Sequence, residues 1–220
     1  DYMQKIKNRW LVAASGVGIH ISIGSVYAYS VLAKPVASVL EVGTDEVKKA
    51  FMLAIFCLGM SAAFLGRIVE KIGPKKSGIA CAVLYGVGTI GSGVAVQMGS
   101  LNLFYLCYGV IGGIGLGVGY ITPVSTLVKW FPDKRGLATG MAIMGFGFSA
   151  LIFGPAMASL FIDSTLTGIP VYTATSVANT FYILGTIYFV LIFCSSLYIA
   201  KPPEGWQPAS GAGTKSKKTS

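Results

Sequence analysis

The chain has 220 residues, of which 54% are hydrophobic and only 11% are charged, and its formal net charge is +9. Soluble domains carry about 25% charged residues, so this composition excludes an ordinary soluble domain and favours a protein surrounded by lipid. The basic residues are scattered over several separate segments. Because a nucleic-acid footprint needs them clustered on one face, we expect no nucleic-acid partner.

Long uncharged runs predict membrane-spanning helices, because a helix needs about 20 apolar residues to cross the hydrocarbon core. The run at 77–128 is long enough for two helices, divided by the polar stretch QMGSLN at 97–102. We therefore predict an all-α membrane protein with six transmembrane helices. The predicted spans cover residues 10–33, 47–67, 77–97, 101–129, 136–161 and 174–200, between an N-terminal segment 1–9 and a linker 201–220.

The basic residues also predict the orientation of the bundle. With six spans, both termini and the second and fourth loops lie on one side of the membrane, and 14 of the 17 Lys and Arg residues fall on that side. Because cytoplasmic loops are enriched in Lys and Arg, we predict a multi-pass protein of the cell membrane with both termini cytoplasmic. The linker is rich in Gly, Ser and Lys, and we expect it to be disordered beyond about Pro208.

Four cysteines lie in four different spans without paired spacing. This pattern is typical of small buried side chains and indicates neither a disulfide framework nor a metal site. We expect no cofactor.

An internal repeat is suggested by the first and fourth spans. When Tyr27 is placed on Tyr120, six identical residues coincide over positions 16–31. A 3+3 inverted repeat of this kind is typical of secondary transporters; the alternative is the general similarity of all membrane helices.

Small residues predict where the helices pack closely. Gly109, Gly113 and Gly117 recur every four residues in the fourth span, a spacing that brings helix backbones into contact in lipid. Gly154 and Pro155 are predicted to provide packing and a bend in the fifth span. Such packing suits a protein that rocks between two openings, and it equally suits a static bundle.

Two charged turns carry motifs. The first, GRIVEKIGPKK, resembles the signature of the major facilitator superfamily between its second and third helices, Gly-x-x-x-Asp-Arg/Lys-x-Gly-x-Arg/Lys-Arg/Lys, with Glu in place of Asp. The matching residues are Gly66, Glu70, Lys71, Gly73, Lys75 and Lys76.

The second turn, KWFPDKRGLATG at 129–140, resembles that of the oxalate/formate antiporter family and its lactate or monocarboxylate-like relatives. GSVY at 24–27, KPV at 34–36 and PPEGW at 202–206 agree with the same family. The resemblance covers nearly all of residues 8–206, but only the first six of the family's twelve helices. It implies the N-terminal half of a major facilitator fold, whose partner is a C-terminal six-helix half or a second copy of this half.

The resemblance also implies a function, which is secondary active transport, by alternating access, of small organic anions such as oxalate, formate, lactate or pyruvate. Family members enclose a small carboxylate with aromatic residues on their first and fourth helices, and Tyr27 and Tyr120 match those places. At helical spacing His20 and Ser30 fall on the same face as Tyr27, so we predict that they contact substrate too. The alternative for each tyrosine is packing against a neighbouring helix, and for His20 a hydrogen-bonded position in the core.

No Asp, Glu, Lys or Arg lies deep in any predicted span. Because burying an anion without a counter-charge is very costly, we expect the cationic partners of a carboxylate to come from the other half, and this half alone not to transport. His20 is the in-span candidate for proton coupling.

The resemblance further implies that the charged turns form a cytoplasmic gate. Glu70 with Lys71, and Arg135 of the second turn, are expected to hold the ends of the two halves together in one state. Gly66, Gly73 and Lys75 complete this predicted gate. The alternative is that the basic residues only fix the topology.

Two other functional classes are open to a bundle of this kind. A transport-inactive sensor or assembly subunit also suits the lack of intramembrane charge. An intramembrane enzyme is disfavoured, because the sole histidine lies in the first span and a His-Glu-x-x-His motif is absent.

Overall fold

The computed structural model of the protein describes residues 7–166 and 168–208. Within them, six helices are long and apolar enough to cross a membrane, and we name them span one to span six in chain order. Their bounds are Arg9–Leu40, Thr44–Ile72, Pro74–Gln97, Leu101–Trp130, Arg135–Leu160 and Ala174–Tyr198. The predicted helical membrane fold with six spans is thereby confirmed, and the chain is a multi-pass membrane protein.

A short antiparallel hairpin, which the sequence did not predict, connects spans five and six. Its strands are β1, Ser164–Leu166, and β2, Ile169–Val171. Strands of three residues are too short to show the alternation of apolar and polar residues that identifies longer strands.

Several helices extend further than predicted, because hydropathy marks the hydrocarbon core whereas helical hydrogen bonding continues beyond it. Span one continues past Lys34 and Pro35 to Leu40, and the next residue, Glu41, has a left-handed backbone with φ of 55°. Span two ends at Ile72, and the next residue, Gly73, has φ of +87°. Because glycine adopts this conformation without strain, the chain turns there directly into Pro74, the first residue of span three.

Two spans contain segments that are not α-helical. Span one consists of Arg9–Ile23, a 3₁₀ turn at Gly24–Ala28 and Tyr29–Leu40. Span four begins with Leu101–Phe104 and a π-helical segment, Tyr105–Ile111, before Gly112–Trp130. Such interruptions inside long helices are frequent at functional sites.

Span four lies in the middle of the bundle, against spans two and three. A Cβ added at Gly113 would lie 2.7 Å from the carbonyl oxygen of Ala54, and one added at Gly117 would lie 2.6 Å from that of Leu58. Gly109 faces the same helix, since its Cβ would lie 2.8 Å from Leu53. These glycines therefore bring the backbone of span four against that of span two.

The structure bears on the packing predicted for Gly154, while the bend at Pro155 stays a prediction. A Cβ at Gly154 would meet nothing within 4 Å, so this glycine makes no close helix contact. Pro155 lies inside a helix that runs continuously from Arg135 to Leu160. A glycine–proline pair in a sequence indicates the capacity to bend, but neighbouring helices decide whether the bend occurs.

We expect Gly113→Ala to destabilise the protein, because the added methyl group would push against the backbone of span two. Overpacking of this kind costs about 1–3 kcal/mol of unfolding free energy. The measurement is the apparent melting temperature of the purified complete gene product in detergent.

Gly59→Ala is the matched control, because Gly59 lies on span two and a Cβ there would meet nothing within 4 Å. Equal melting temperatures for the two variants would contradict the packing argument.

Candidate substrate cavity and ion pairs of the charged turns

Spans one, four and five enclose an open cavity of about 580 Å³. Tyr27 and Tyr120 both line it, with exposed fractions of 58% and 37%. Both tyrosine rings pack on Phe146, at centroid distances of 5.6 and 5.7 Å. The remaining lining residues are Ile143, Met144, Gly147 and Ala150. The structure thus brings together the two tyrosines that the sequence singled out, and we name this space the tyrosine cavity.

Close contact between spans one and five positions this cavity. A Cβ at Gly24 would lie 2.7 Å from the Cα of Phe146, and one at Gly145 would lie 2.8 Å from the Cβ of His20. Because neither glycine carries a side chain, the two helices touch beside the 3₁₀ turn that holds Tyr27. Phe146 therefore supports both tyrosine rings from a fixed position.

His20 lies beneath the cavity and is fully buried, so it does not line the space where the sequence placed it. Its Nδ1 is 2.6 Å from the carbonyl oxygen of Ala142 and its Nε2 is 3.1 Å from that of Tyr120. A neutral imidazole donates one hydrogen bond and an imidazolium donates two. Both neighbouring atoms are acceptors, so only the imidazolium donates to spans four and five at once. The neutral ring donates to one of them, and in either form the ring packs on Phe146 of span five at a centroid distance of 4.7 Å.

The 3₁₀ turn explains why the three side chains predicted to share one face of span one do not all line the same cavity. Our prediction placed His20, Tyr27 and Ser30 on one face by assuming a uniform α-helix, which advances about 100° per residue. A 3₁₀ turn advances about 120° per residue. Over the five residues Gly24–Ala28 the difference amounts to about 100°, which rotates the second part of the span relative to the first.

Ser30 lines a second cavity, of about 350 Å³, which it shares with Tyr27 but not with Tyr120. We name this space the lysine cavity. The other residues that line it are Tyr29, Ala33, Lys34, Thr44, Lys48 and Phe51.

The tyrosine cavity is lined, as far as the described residues go, by uncharged side chains only. Its polar side-chain groups are the hydroxyl groups of Tyr27 and Tyr120, and apolar side chains of span five form the opposite wall. Within residues 7–166 and 168–208, no three His, Cys, Asp or Glu residues are close enough to hold a metal ion.

Ion pairs bind the charged turns within this half. The Glu70 carboxylate accepts a hydrogen bond from Lys129 Nζ at 3.2 Å, and Arg9 at the start of span one pairs with Asp133 at 3.2 Å. Lys71 and Arg135, which the sequence places in the gate with Glu70, form no ion pair in the described part of the chain. The acid of the first turn is therefore bound by the second turn of the same half.

Sequence reasoning missed Lys129 because its contact with Glu70 spans 59 residues. The sequence feature that could have identified Lys129 is its position at the start of the second charged turn. Gly66 and Gly73 take no part in the ion pairs: Gly66 lies beside Ile121, and Gly73 forms the turn.

The start of the linker packs under span four. Trp130 donates a hydrogen bond from Nε1 to the carbonyl oxygen of Ala200 at 2.6 Å, and its ring lies 5.0 Å from that of Trp206. Lys201 donates to the carbonyl oxygen of Glu70. The predicted disorder of the linker concerns residues 209–220, which lie outside the described residues.

Comparisons with known proteins agree with this architecture. The family model described as Major Facilitator Superfamily matches residues 13–220. The chain is 27% identical to an uncharacterized MFS-type transporter, YhjX, of Escherichia coli, covering 90% of this chain and 46% of that protein. It is 31% identical to the oxalate:formate antiporter of Oxalobacter formigenes, covering 70% and 36%. It is 30% identical to apicoplast pyruvate carrier 1 of Toxoplasma gondii, covering 70% and 35%.

The chain therefore spans less than half the length of these curated relatives. The resemblance to the superfamily that the charged turns indicated is confirmed. Because the family model covers nearly the whole chain and the described residues form six membrane-spanning helices, the chain belongs to the Major Facilitator Superfamily.

Proposed function

We propose that this chain forms the N-terminal six-helix half of a secondary active transporter that moves small organic anions, such as oxalate, formate, lactate or pyruvate, by alternating access. The observation that carries this proposal is the tyrosine cavity, which lies open between spans one, four and five. Family membership and two relatives named for oxalate, formate and pyruvate support the substrate class. The partner of this half is a C-terminal six-helix half or a second copy.

In this proposal, the hydroxyl groups of Tyr27 and Tyr120 donate hydrogen bonds to the substrate carboxylate. A hydrogen bond to a charged group contributes about 1.5–3 kcal/mol, and the apolar side chains of Ile143 and Met144 line the same cavity. Two phenols do not compensate the burial of a full negative charge. The cationic partners therefore come from the other half, which is why this half alone should not transport.

The cytoplasmic ion pairs supply a gate in this proposal. Glu70 and Lys129 are 56% and 44% exposed in their side chains, and an exposed pair contributes only about 0–1 kcal/mol. Such a pair exchanges partners easily during alternating access. Lys71, Lys75 and Arg135 are exposed at the same end of the bundle and are available to acids of the other half.

We also propose that the protein lies in the cell membrane with both termini in the cytoplasm, as the distribution of basic residues indicates. Asp45 then lies outside and Glu204 inside. We expect a membrane-impermeant maleimide to label Asp45→Cys but not Glu204→Cys in intact cells, each in a cysteine-free background. The reverse pattern would overturn the orientation.

The tyrosine cavity predicts a defect in substrate affinity for Tyr27→Phe and Tyr120→Phe. Each change removes one donor and keeps the ring, so we expect the KM for oxalate to rise about tenfold, the equivalent of about 1.4 kcal/mol. The measurement is uptake by the complete gene product in proteoliposomes.

Tyr182→Phe is the matched control, because the Tyr182 hydroxyl group donates a hydrogen bond to Gln97 Oε1 at 2.6 Å and Tyr182 lines neither cavity. An unchanged KM in both cavity variants would rule out the tyrosines as substrate contacts. If the unmodified protein takes up none of oxalate, formate, lactate and pyruvate, transport of these anions is excluded and the sensor or assembly subunit becomes the better reading.

The gate predicts that Glu70→Gln lowers the maximal transport rate several-fold and leaves the KM nearly unchanged, because Glu70 touches no substrate. Glu204→Gln, another exposed cytoplasmic acid, is the control and should leave the rate unchanged.

A charge exchange then identifies the partner of Glu70. If the pair with Lys129 is sufficient for gating, the double variant Glu70→Lys, Lys129→Glu recovers the rate. If Glu70 also binds the other half, the double variant stays slow. Equal rates for Glu70→Gln and Glu204→Gln would refute the gate.

A further inference from the structure

The lysine cavity lies on the opposite side of the bundle from the cytoplasmic ion pairs. It opens between the second part of span one, which supplies Ser30 and Lys34, and the start of span two, which supplies Thr44 and Lys48. Tyr27 lines both this cavity and the tyrosine cavity. The two spaces are therefore neighbours that share one side chain.

The lysine cavity and the tyrosine cavity differ in the charge of the side chains that line them. The lysine cavity carries two ammonium groups, whereas the side chains described around the tyrosine cavity are uncharged. Lys48 Nζ is 2.9 Å from Asp45 Oδ1, and the Asp45 side chain is 91% exposed. Lys34 is exposed and forms no ion pair with any residue in 7–166 or 168–208. The ammonium group of Lys34 is therefore free in the lining of this cavity, whereas the acids at the same end of the bundle, Glu41, Asp45 and Glu46, lie outside the lining.

The lysine cavity also contains a polar group that has no hydrogen-bond partner among the described residues. The hydroxyl group of Ser30 makes no hydrogen bond within the described residues, so it is free to donate to a ligand. Thr44 begins span two, but Asp45 and Glu46 already bring negative charge to the first turn of that helix. Tyr29 is different, because its hydroxyl group already donates to the carbonyl oxygen of Val47. The free donors around the cavity are thus suited to an anion.

We propose that Lys34, assisted by Lys48 and Ser30, forms a capture site for small carboxylates, from which the anion passes Tyr27 into the tyrosine cavity. This inference rests on the proposed transport function and adds to it a site where the substrate first binds. Positive charge at the mouth of a cleft raises the local concentration of anions and the rate of their association, and salt weakens this effect. The capture site therefore acts on the approach of the substrate, not on its passage across the membrane.

The test is the uptake of external oxalate by the complete gene product in proteoliposomes. We expect Lys34→Gln to raise the KM about 3- to 10-fold at low salt, with the maximal rate within about twofold of the unmodified protein. Lys34→Arg retains the charge and should stay close to the unmodified protein. Raising the ionic strength should increase the KM of the unmodified protein and have little effect on Lys34→Gln.

Lys49→Gln is the matched control, because Lys49 is next to Lys48 in sequence, pairs with Glu46 at 2.8 Å and does not line the cavity. Equal KM values for Lys34→Gln and Lys49→Gln would overturn the capture site while leaving the transport proposal intact.

Binding of oxalate, measured by calorimetry on the same purified proteins, separates the two proposals. If the unmodified protein does not transport but binds oxalate, and Lys34→Gln weakens this binding at low salt, the capture site stands and the transport function fails. If the unmodified protein neither transports nor binds oxalate, both fail.

Discussion

Backbone contact between span four and span two is the packing interaction that places span four, and with it one wall of the tyrosine cavity. Apolar side chains gain nothing by leaving lipid for another helix, so helices associate in membranes through close packing and hydrogen bonds. Gly113 and Gly117 meet the carbonyl oxygens of Ala54 and Leu58 directly, and Ser61 Oγ approaches the carbonyl oxygen of Ile114 at 3.5 Å. Because Tyr120 follows Gly117 by less than one turn, this contact also sets where its ring lies.

The same principle positions the other tyrosine. Gly24 allows span one to touch span five at Phe146, and the ring of His20 lies between the backbone carbonyl oxygens of Ala142 and Tyr120, on the two other walls. The base of the tyrosine cavity is therefore tightly packed. The ends of the spans that carry the charged turns are held differently, by partly exposed ion pairs such as Glu70 with Lys129, whose exchange costs little.

The sequence was sufficient for the features that depend on local chemistry. Long apolar runs predicted six spans because lipid tolerates few charges, and four-residue spacing identified the glycines of span four. The rotation of Ser30 away from His20 was not predictable, since nothing in GSVYA distinguishes a 3₁₀ turn from an α-helix. The pair of Glu70 with Lys129 was missed because it depends on how two distant turns meet. The hairpin was missed because its strands are too short to show a period.

The separation of charge between the two cavities has a physical reason. A lysine inside a narrow membrane cavity has to remain desolvated whenever the cavity is empty, which is costly without a counter-ion. Lys34 and Lys48, at the mouth, keep their water and so carry no such cost. Tyr27 and Tyr120 provide donors that tolerate an apolar environment, because the phenol is neutral. Under the proposed function, this arrangement attracts an anion at the hydrated mouth and receives it between neutral donors. The full counter-charge would then come from the other half of the proposed transporter.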